Sequence, residues 1–263
     1  MHIVIQDGPT SRILEPQRKE SKMHRDTYFV RKIGAGRLFA ALALAIGYTC
    51  LLPAACGAQG AGDQDKVPLP LKLPKAVFAG TARDTVVGPN VEKLTGKPRP
   101  VPLVPKGTIN LALHKKVTSS APPFSGSLDM ITDGDKEARE DSAVEIKAKL
   151  QWVQIDLGAS DPLYYIVVWH SHLEPVVYHC VIVQISDDPK FVDGVKTLFN
   201  NDQDNVAGMG IGKDREYFET NEGRLIDAKG IKARYVRLYS KGSTFRDPLN
   251  RYTEVEVYGV PSK

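Results

Sequence analysis

QWVQIDLG, residues 151–158, decides how the rest of the chain is read. Val153, Ile155 and Leu157 fall on one face of an extended segment and Gln154 and Asp156 on the other, the pattern of a strand with one side on a core and one in water. ARYVRLYS at 233–240 repeats the alternation. YTEVEVYG at 252–259 repeats it again with carboxylates between its valines, and MITDGD at 130–135 supplies an acidic turn far upstream. A DGD turn near the start of a domain and Glu254 near its end are the residue types a hard cation needs to tie the two together.

Outward from these segments the chain is punctuated into strand-sized pieces from Asn110 onward. NLALHKKVTSS (110–120) alternates, YYIVVWH (164–170) is a near-continuous apolar run, VYHCVIVQIS (177–186) alternates, and SDDPKF (186–191) has turn chemistry. KEAREDSAVEIKAKL (136–150) is rich in charge and alanine but shows no clean apolar helical face. Trp152 stands beside Val153 and Ile155 and is read as core. Strands about ten residues apart, joined by Gly, Asp and Asn turns, predict an all-β fold, an antiparallel sandwich or jelly roll over residues 108–263. That length can bury a core of its own.

The first 107 residues read differently. LFAALALAIGYTCLLPAA (38–55) follows Arg31, Lys32 and Arg37 and precedes small residues, the layout of an export signal, so residues 1–58 are expected to be an N-terminal extension plus signal peptide. The polar leader before Met23 suggests that translation starts at Met23. Two rival readings stand beside cleavage: LPAAC (52–56) resembles a lipoprotein box that would lipidate Cys56, and the apolar run is nearly long enough to remain as an anchor. The expected location is therefore extracellular, periplasmic or at the cell surface, with membrane contact only through this segment. Residues 59–107 carry prolines every two to four positions in VPLPLKLPKAVFAG and GKPRPVPLVPKG, and are expected to be an extended spacer without packed elements. TARDTVVGPNVEKLTG (81–96), between them, could place a turn or short strand against the domain.

The 263 residues carry 35 Lys and Arg against 31 Asp and Glu, a net charge of +4 with no basic stripe, so nucleic acid is not an expected partner. Cys50, Cys56 and Cys180 show neither metal nor disulfide spacing, and Cys180 is read as a lone free thiol. No nucleophile elbow, HExxH or Cys–His pairing is present, and the carboxylate pairs among Asp187, Asp188, Asp202 and Asp204 lie in acidic turns of the kind any soluble domain carries. NNDQDN (200–205) begins like a calcium loop, but Val206 and Ala207 stand where an oxygen ligand and Gly are needed. GMGIGKD (208–214) lacks the residues and the strand-to-helix context of a phosphate loop, and is read as a flexible rim loop with Asp202, Asp204 and Arg215.

The order NLALHKKVTSS, ITDGD, QWVQIDLG, VQISDDPKF, ARYVRLYS and EVEVYG resembles the discoidin family, also called the coagulation-factor C-type domain, which includes many galactose-binding-like carbohydrate-binding modules. The resemblance covers residues 108–261. It implies an eight-stranded jelly-roll sandwich, a noncatalytic ligand-binding role and binding loops at one end. By position it also implies a structural calcium held by the side chains of Asp133 and Glu254, with Asp135 and the carbonyls of Met130 and Thr253 completing the shell. Two departures weaken the match: Ala138 stands where the family has Thr or Ser, and SAVEI (142–146) where it often has Trp.

WHSHLEPVVYH (169–179) is the densest polar-aromatic cluster. Three readings are open for it: His170, His172 and His179 hydrogen-bonded within a strand pair; the same three on zinc, in a metal-dependent enzyme; or sugar contact, with Trp169 or Tyr178 under the ring and Glu174 accepting hydroxyls. The expectation adopted is a secreted or surface-tethered module that binds an extracellular glycan, with His170, His172, Glu174, Tyr178, His179, Asp202, Asp204 and Arg246 as ligand contacts. The alternative partner is a protein, in adhesion or envelope assembly.

Overall fold

The structure, a computed structural model, describes residues 65–77, 88–245, 247 and 249–262. The described residues fall within one compact unit, Ala58–Lys263; the unit Met1–Gly57, and with it the signal segment, Met23, Cys50 and Cys56, lies outside them. Arg246 also lies outside the described residues.

In chain order the elements are β1 (Lys66–Pro68), β2 (Leu103–Pro105), β3 (Ile109–Asn110), β4 (Lys116–Ser119), β5 (Pro123–Ser125), a 3-10 helix (Leu128–Thr132), β6 (Val144–Ile146), β7 (Gln151–His170), β8 (Ile182–Ser186), β9 (Lys196–Asn200), β10 (Arg224–Ser240) and β11 (Asn250–Gly259). β3 to β11 form one antiparallel network that folds over on itself. β7 and β10 run side by side through both layers. In the first layer Gln151–Asp156 of β7 lies between β4 and the Tyr235–Ser240 half of β10, which continues to β8 and β9. In the second, Leu163–His170 of β7 lies between the Arg224–Ile231 half of β10 and β11, with β3, β6 and β5 beyond. The corner in β10 is a register shift between Asp227 and Ile231, where Lys229 and Gly230 take φ of 56° and 71°; such a bulge lets a strand change sheets.

The alternation read in QWVQIDLG holds, with Val153, Ile155 and Leu157 in the core shared with Ile166, Val168, Val236, Leu238 and Val255. The expected all-β antiparallel sandwich is the observed fold. Trp152 corrects the reading that made it core: it stands half-buried on the outer face with the Arg237 guanidinium 4.5 Å above its ring. KEAREDSAVEIKAKL contributes β6, whose Val144 and Ile146 are fully buried.

The stretch expected to be an unpacked spacer departs most from its reading. β1 pairs antiparallel with β2, and Leu69 and Val104 are buried against Val167, Trp169 and Tyr258 on the outer face of the second layer. YYIVVWH is apolar on both faces for this reason: Ile166 and Val168 point into the sandwich and Val167 and Trp169 meet this strap. Val91 forms a short parallel bridge to Glu216 and packs with Val177 and Phe218. Arg99 donates to the carbonyls of Gly223 (2.8 Å) and Glu222 (2.9 Å), Arg224 and Glu92 form a two-pronged ion pair at 2.8 and 2.9 Å, and Asn221 donates to the Pro74 carbonyl. Prolines keep the strap extended without asking for backbone donors, and its leucines and valines supply the contact.

Gly223 is required where strap and sandwich meet. Its φ is +60°, and a Cβ there would lie 2.6 Å from Cε2 of Trp169, whose indole N–H donates to the Asn221 carbonyl at 3.0 Å.

Candidate functional site

Three segments gather at one end of the sandwich: 139–143 leading into β6, 171–178 after β7, and 241–245 after β10. They enclose a cleft of about 270 Å³ lined by Arg139, Glu140, Glu145, Glu174, Tyr178, Phe245 and Arg251 among others, just below the range of about 300–1,000 Å³ for drug-sized ligand sites. Arg251 organises it. Its Nε donates to Glu145 at 2.7 Å, its other arm pairs with Asp247 at 2.6 Å, and its guanidinium lies 5.3 Å from the Phe245 ring centre. Burial works against its charge, but the bonds to Asp247 and Glu145 outweigh that and raise its pKa. Glu174 is exposed on the rim. The cleft therefore offers charged donors and acceptors beside an aromatic face.

Tyr178 closes the inner wall at 2 % exposure, its ring stacked on His170 with centroids 4.3 Å apart and planes 15° from parallel. Burial, reinforced by the Glu219 carboxylate, pushes its hydroxyl well above the ordinary value. His170 is fully buried. Its Nδ1 lies 2.7 Å from Glu219 Oε1, so the carboxylate accepts and Nδ1 carries the proton. His172 is also fully buried, with Nε2 2.9 Å from the Lys136 carbonyl. The expectation that His170 and His172 touch ligand is thus corrected: both face inward, and His170 acts only by backing Tyr178. The three-histidine zinc reading falls with it. His179 belongs elsewhere, and among the described residues no three His, Cys, Asp or Glu side chains converge as a metal site would need.

His179 lines a second cleft of about 290 Å³, with Asn90, Cys180, Asn201, Asp202, Asp204, Glu216 and Lys241. Tyr178 and His179 are neighbours in an extended segment that bridges Phe218 on one side and Ser243 on the other, so their side chains leave in opposite directions. Asp202, expected on the rim, is 3 % exposed and staples its own loop, accepting from the N–H groups of Val206 (3.0 Å) and Ala207 (2.7 Å) and from the Cys180 thiol (3.5 Å). Asp204 is exposed. Burial first, then Asp202, pushes the Cys180 thiol up to about 12, which removes it as a nucleophile near neutral pH.

The DGD turn does meet β11. Gly134 N–H points at Glu254 Oε2 at 3.3 Å, and Asp133 accepts from Asp135 N–H at 2.8 Å. Glu254 is fully buried, its Oε1 and the hydroxyl of Thr253 have no hydrogen-bond partner, and burial together with Glu256 and Asp133 pushes its carboxyl up to about 9. An orphaned buried carboxylate oxygen beside an acidic turn fits a hard cation. Asp135 is differently placed: Arg139 bonds its carboxylate and lowers its pKa. Met130 is half-buried in the 3-10 helix just ahead of the turn.

Phe245, Arg251, Glu145, Glu216 and Lys241 were missed in the sequence. Glu145 and Arg251 lie in β6 and β11, but outside the strand segments read from the sequence, and nothing in a sequence says that positions 145 and 251 pair.

No family model matches the chain, and no curated protein does. Solved structures similar to it include chitosan-binding module 1 of a chitosanase/glucanase from Paenibacillus sp. IK-5 (21% identity over 57% of this chain and 99% of that one, TM-score 0.38). A fucose-binding module of Streptococcus pneumoniae, SpX-3, is 20% identical over 59% of this chain and 99% of that one, with a TM-score of 0.40. A family 89 glycoside hydrolase of Clostridium perfringens is 16% identical over 59% of this chain and 15% of its own length, with a TM-score of 0.43. At these identities the likeness is one of fold alone.

Proposed function

We propose that the domain is a noncatalytic module of an exported protein, and that it binds carbohydrate in the cleft between segments 139–143, 171–178 and 241–245. The observation that carries this reading is the cleft's composition: Arg139, Glu140, Glu174 and the Arg251–Glu145 pair around Phe245, with Tyr178 as a rigid inner wall. Hydroxyl groups both donate and accept, so a sugar is matched by fixed charged donors and acceptors beside an apolar ring. A fixed Arg–Glu pair also lowers the ordering cost of binding. The apolar run at 38–55 supports export.

The same reading gives the DGD turn a structural calcium, with Glu254 and Asp133 supplying carboxylates and the Thr253 region further oxygens. When bound, the ion would supply only charge, holding Glu254 ionised and joining the turn to β11. Glycan-array binding by the purified protein, with and without chelator, tests the whole. Binding that is lost in Glu174→Ala and Phe245→Ala variants is the expected result. A full array without a hit would remove the carbohydrate reading and favour a protein ligand in the same cleft.

A further inference from the structure

We infer that segment 133–139 couples the clasp formed by the DGD turn and Glu254 to the first cleft. Asp135 and His172 are the positioning residues: each ties one wall of the cleft to the turn, so that joining Asp133 to Glu254 through calcium also fixes the cleft's shape. The inference rests on the calcium reading above and holds whichever ligand the cleft takes.

The clasp is more than an acidic turn. Glu254 is fully buried, and the Gly134 N–H points at its Oε2 at 3.3 Å, so the carboxylate faces the turn. Its Oε1 has no partner. From the turn the chain runs directly to the cleft, where Arg139 is a wall residue.

Two links span that run. Asp135 accepts from the Glu137 N–H at 3.1 Å, which shapes the backbone, and its carboxylate pairs with the Arg139 guanidinium. Arg139 in turn anchors the wall that it begins: its N–H donates to Ser142 Oγ at 3.0 Å, and its carbonyl accepts from the Ser142 N–H at 3.2 Å. The second link reaches another wall. The Lys136 carbonyl only accepts, so His172 Nε2, 2.9 Å away, carries the proton of a hydrogen bond between the turn and segment 171–178. His172 is fully buried between Ser171 and Leu173, both of which line the cleft.

The turn is the element free to shift. β11 is laddered to β7 from Tyr252 to Gly259, whereas residues 133–139 belong to no strand and are held by the side-chain bonds just named and by the Lys136–Glu256 ion pair. Backbone held in this way opens at low free energy. Anything that pins the turn to Glu254 therefore reaches Arg139 and His172, and by linkage the effect is reciprocal.

Hydrogen–deuterium exchange of the full chain in calcium and in chelator, with melting curves alongside, tests this. Calcium should raise the melting temperature and slow exchange in 139–142 and 171–177 by about fivefold or more, the lower end of the coupling usual between linked sites. Loop 201–214 should show no like change. Asp135→Ala, at an exposed position, should keep the calcium effect on melting and on 171–177 but lose that on 139–142, because the His172 link remains. Protection confined to 133–138 and β11 in the parent would overturn the inference and leave the calcium clasp standing. Loss of the calcium-dependent melting shift in Asp135→Ala would make Asp135 a ligand of the ion and overturn it too. An unchanged melting temperature with no protection anywhere would remove the clasp and the inference together.

Discussion

Glu254→Gln in chelator isolates the energetic cost of burying the Glu254 carboxyl beside the DGD turn. In the folded chain the Glu254 carboxyl, ordinarily near 4.5, is pushed up to about 9 by burial and by the Glu256 and Asp133 carboxylates. A raised folded-state value means that the folded protein holds a proton the unfolded chain releases. The associated stability is fully present below about pH 4.5 and is lost progressively as pH rises toward 9. At about 1.4 kcal/mol per pH unit, the loss between pH 4.5 and pH 7 amounts to roughly 3 kcal/mol. Gln cannot ionise, so the variant escapes this loss. The stability gap between Glu254→Gln and the parent should therefore grow by roughly 3 kcal/mol in the variant's favour from pH 4.5 to pH 7. Urea unfolding followed by fluorescence reads it, since Trp152 and Trp169, the chain's two tryptophans, both lie in the domain. Excess calcium should stabilise the parent at pH 7 and leave the variant unmoved. A gap of the same size at both pH values would refute the argument, and calcium stabilising both proteins equally would remove Glu254 from the ion's shell.

Other expectations concern the strap and the second cleft. Gly223→Ala places a methyl group in the Trp169 ring at a left-handed φ; backbone strain and overpacking together predict a loss of about 2–5 kcal/mol, read as a lower melting temperature. Leu69→Asp or removal of residues 65–105 uncovers Val167, Trp169 and Tyr258; with about 1.5–3 kcal/mol for each buried Leu or Val, a chain starting at 108 should melt well below one starting at 58 and bind a hydrophobic dye. Cys180, pushed up to about 12, should resist iodoacetamide at pH 7.5 in the folded protein and react once urea unfolds it, as peptide mapping by mass spectrometry would show.

The fold was legible where burial is one-sided. QWVQIDLG and ARYVRLYS declare their buried faces by alternation, and their pairing in β7 and β10 follows. YYIVVWH gave the right element, but its second buried face announced a covering layer that composition assigned to a spacer, because proline density reports backbone conformation and not contact. The site was legible only as a neighbourhood. WHSHLEPVVYH does border both clefts, yet a sequence cannot show that His170 turns inward to Glu219 while His179 turns outward to Glu216, since that depends on partners 49 and 37 positions away. That the DGD turn and Glu254 belong together was suggested by residue type and sharpened by family likeness; spacing could not have shown it.

The pairing of β3 with β11, Asn110 opposite Tyr258 and Ile109 opposite Gly259, joins the first strand of the sandwich to its last. Closure of the second layer must wait until β11 has been made, because no shorter piece contains both partners. Long-range pairings of this kind fold slowly, so the chain remains open and threadable while it is being made. The first cleft, whose Arg251 belongs to β11, is completed only when that strand arrives.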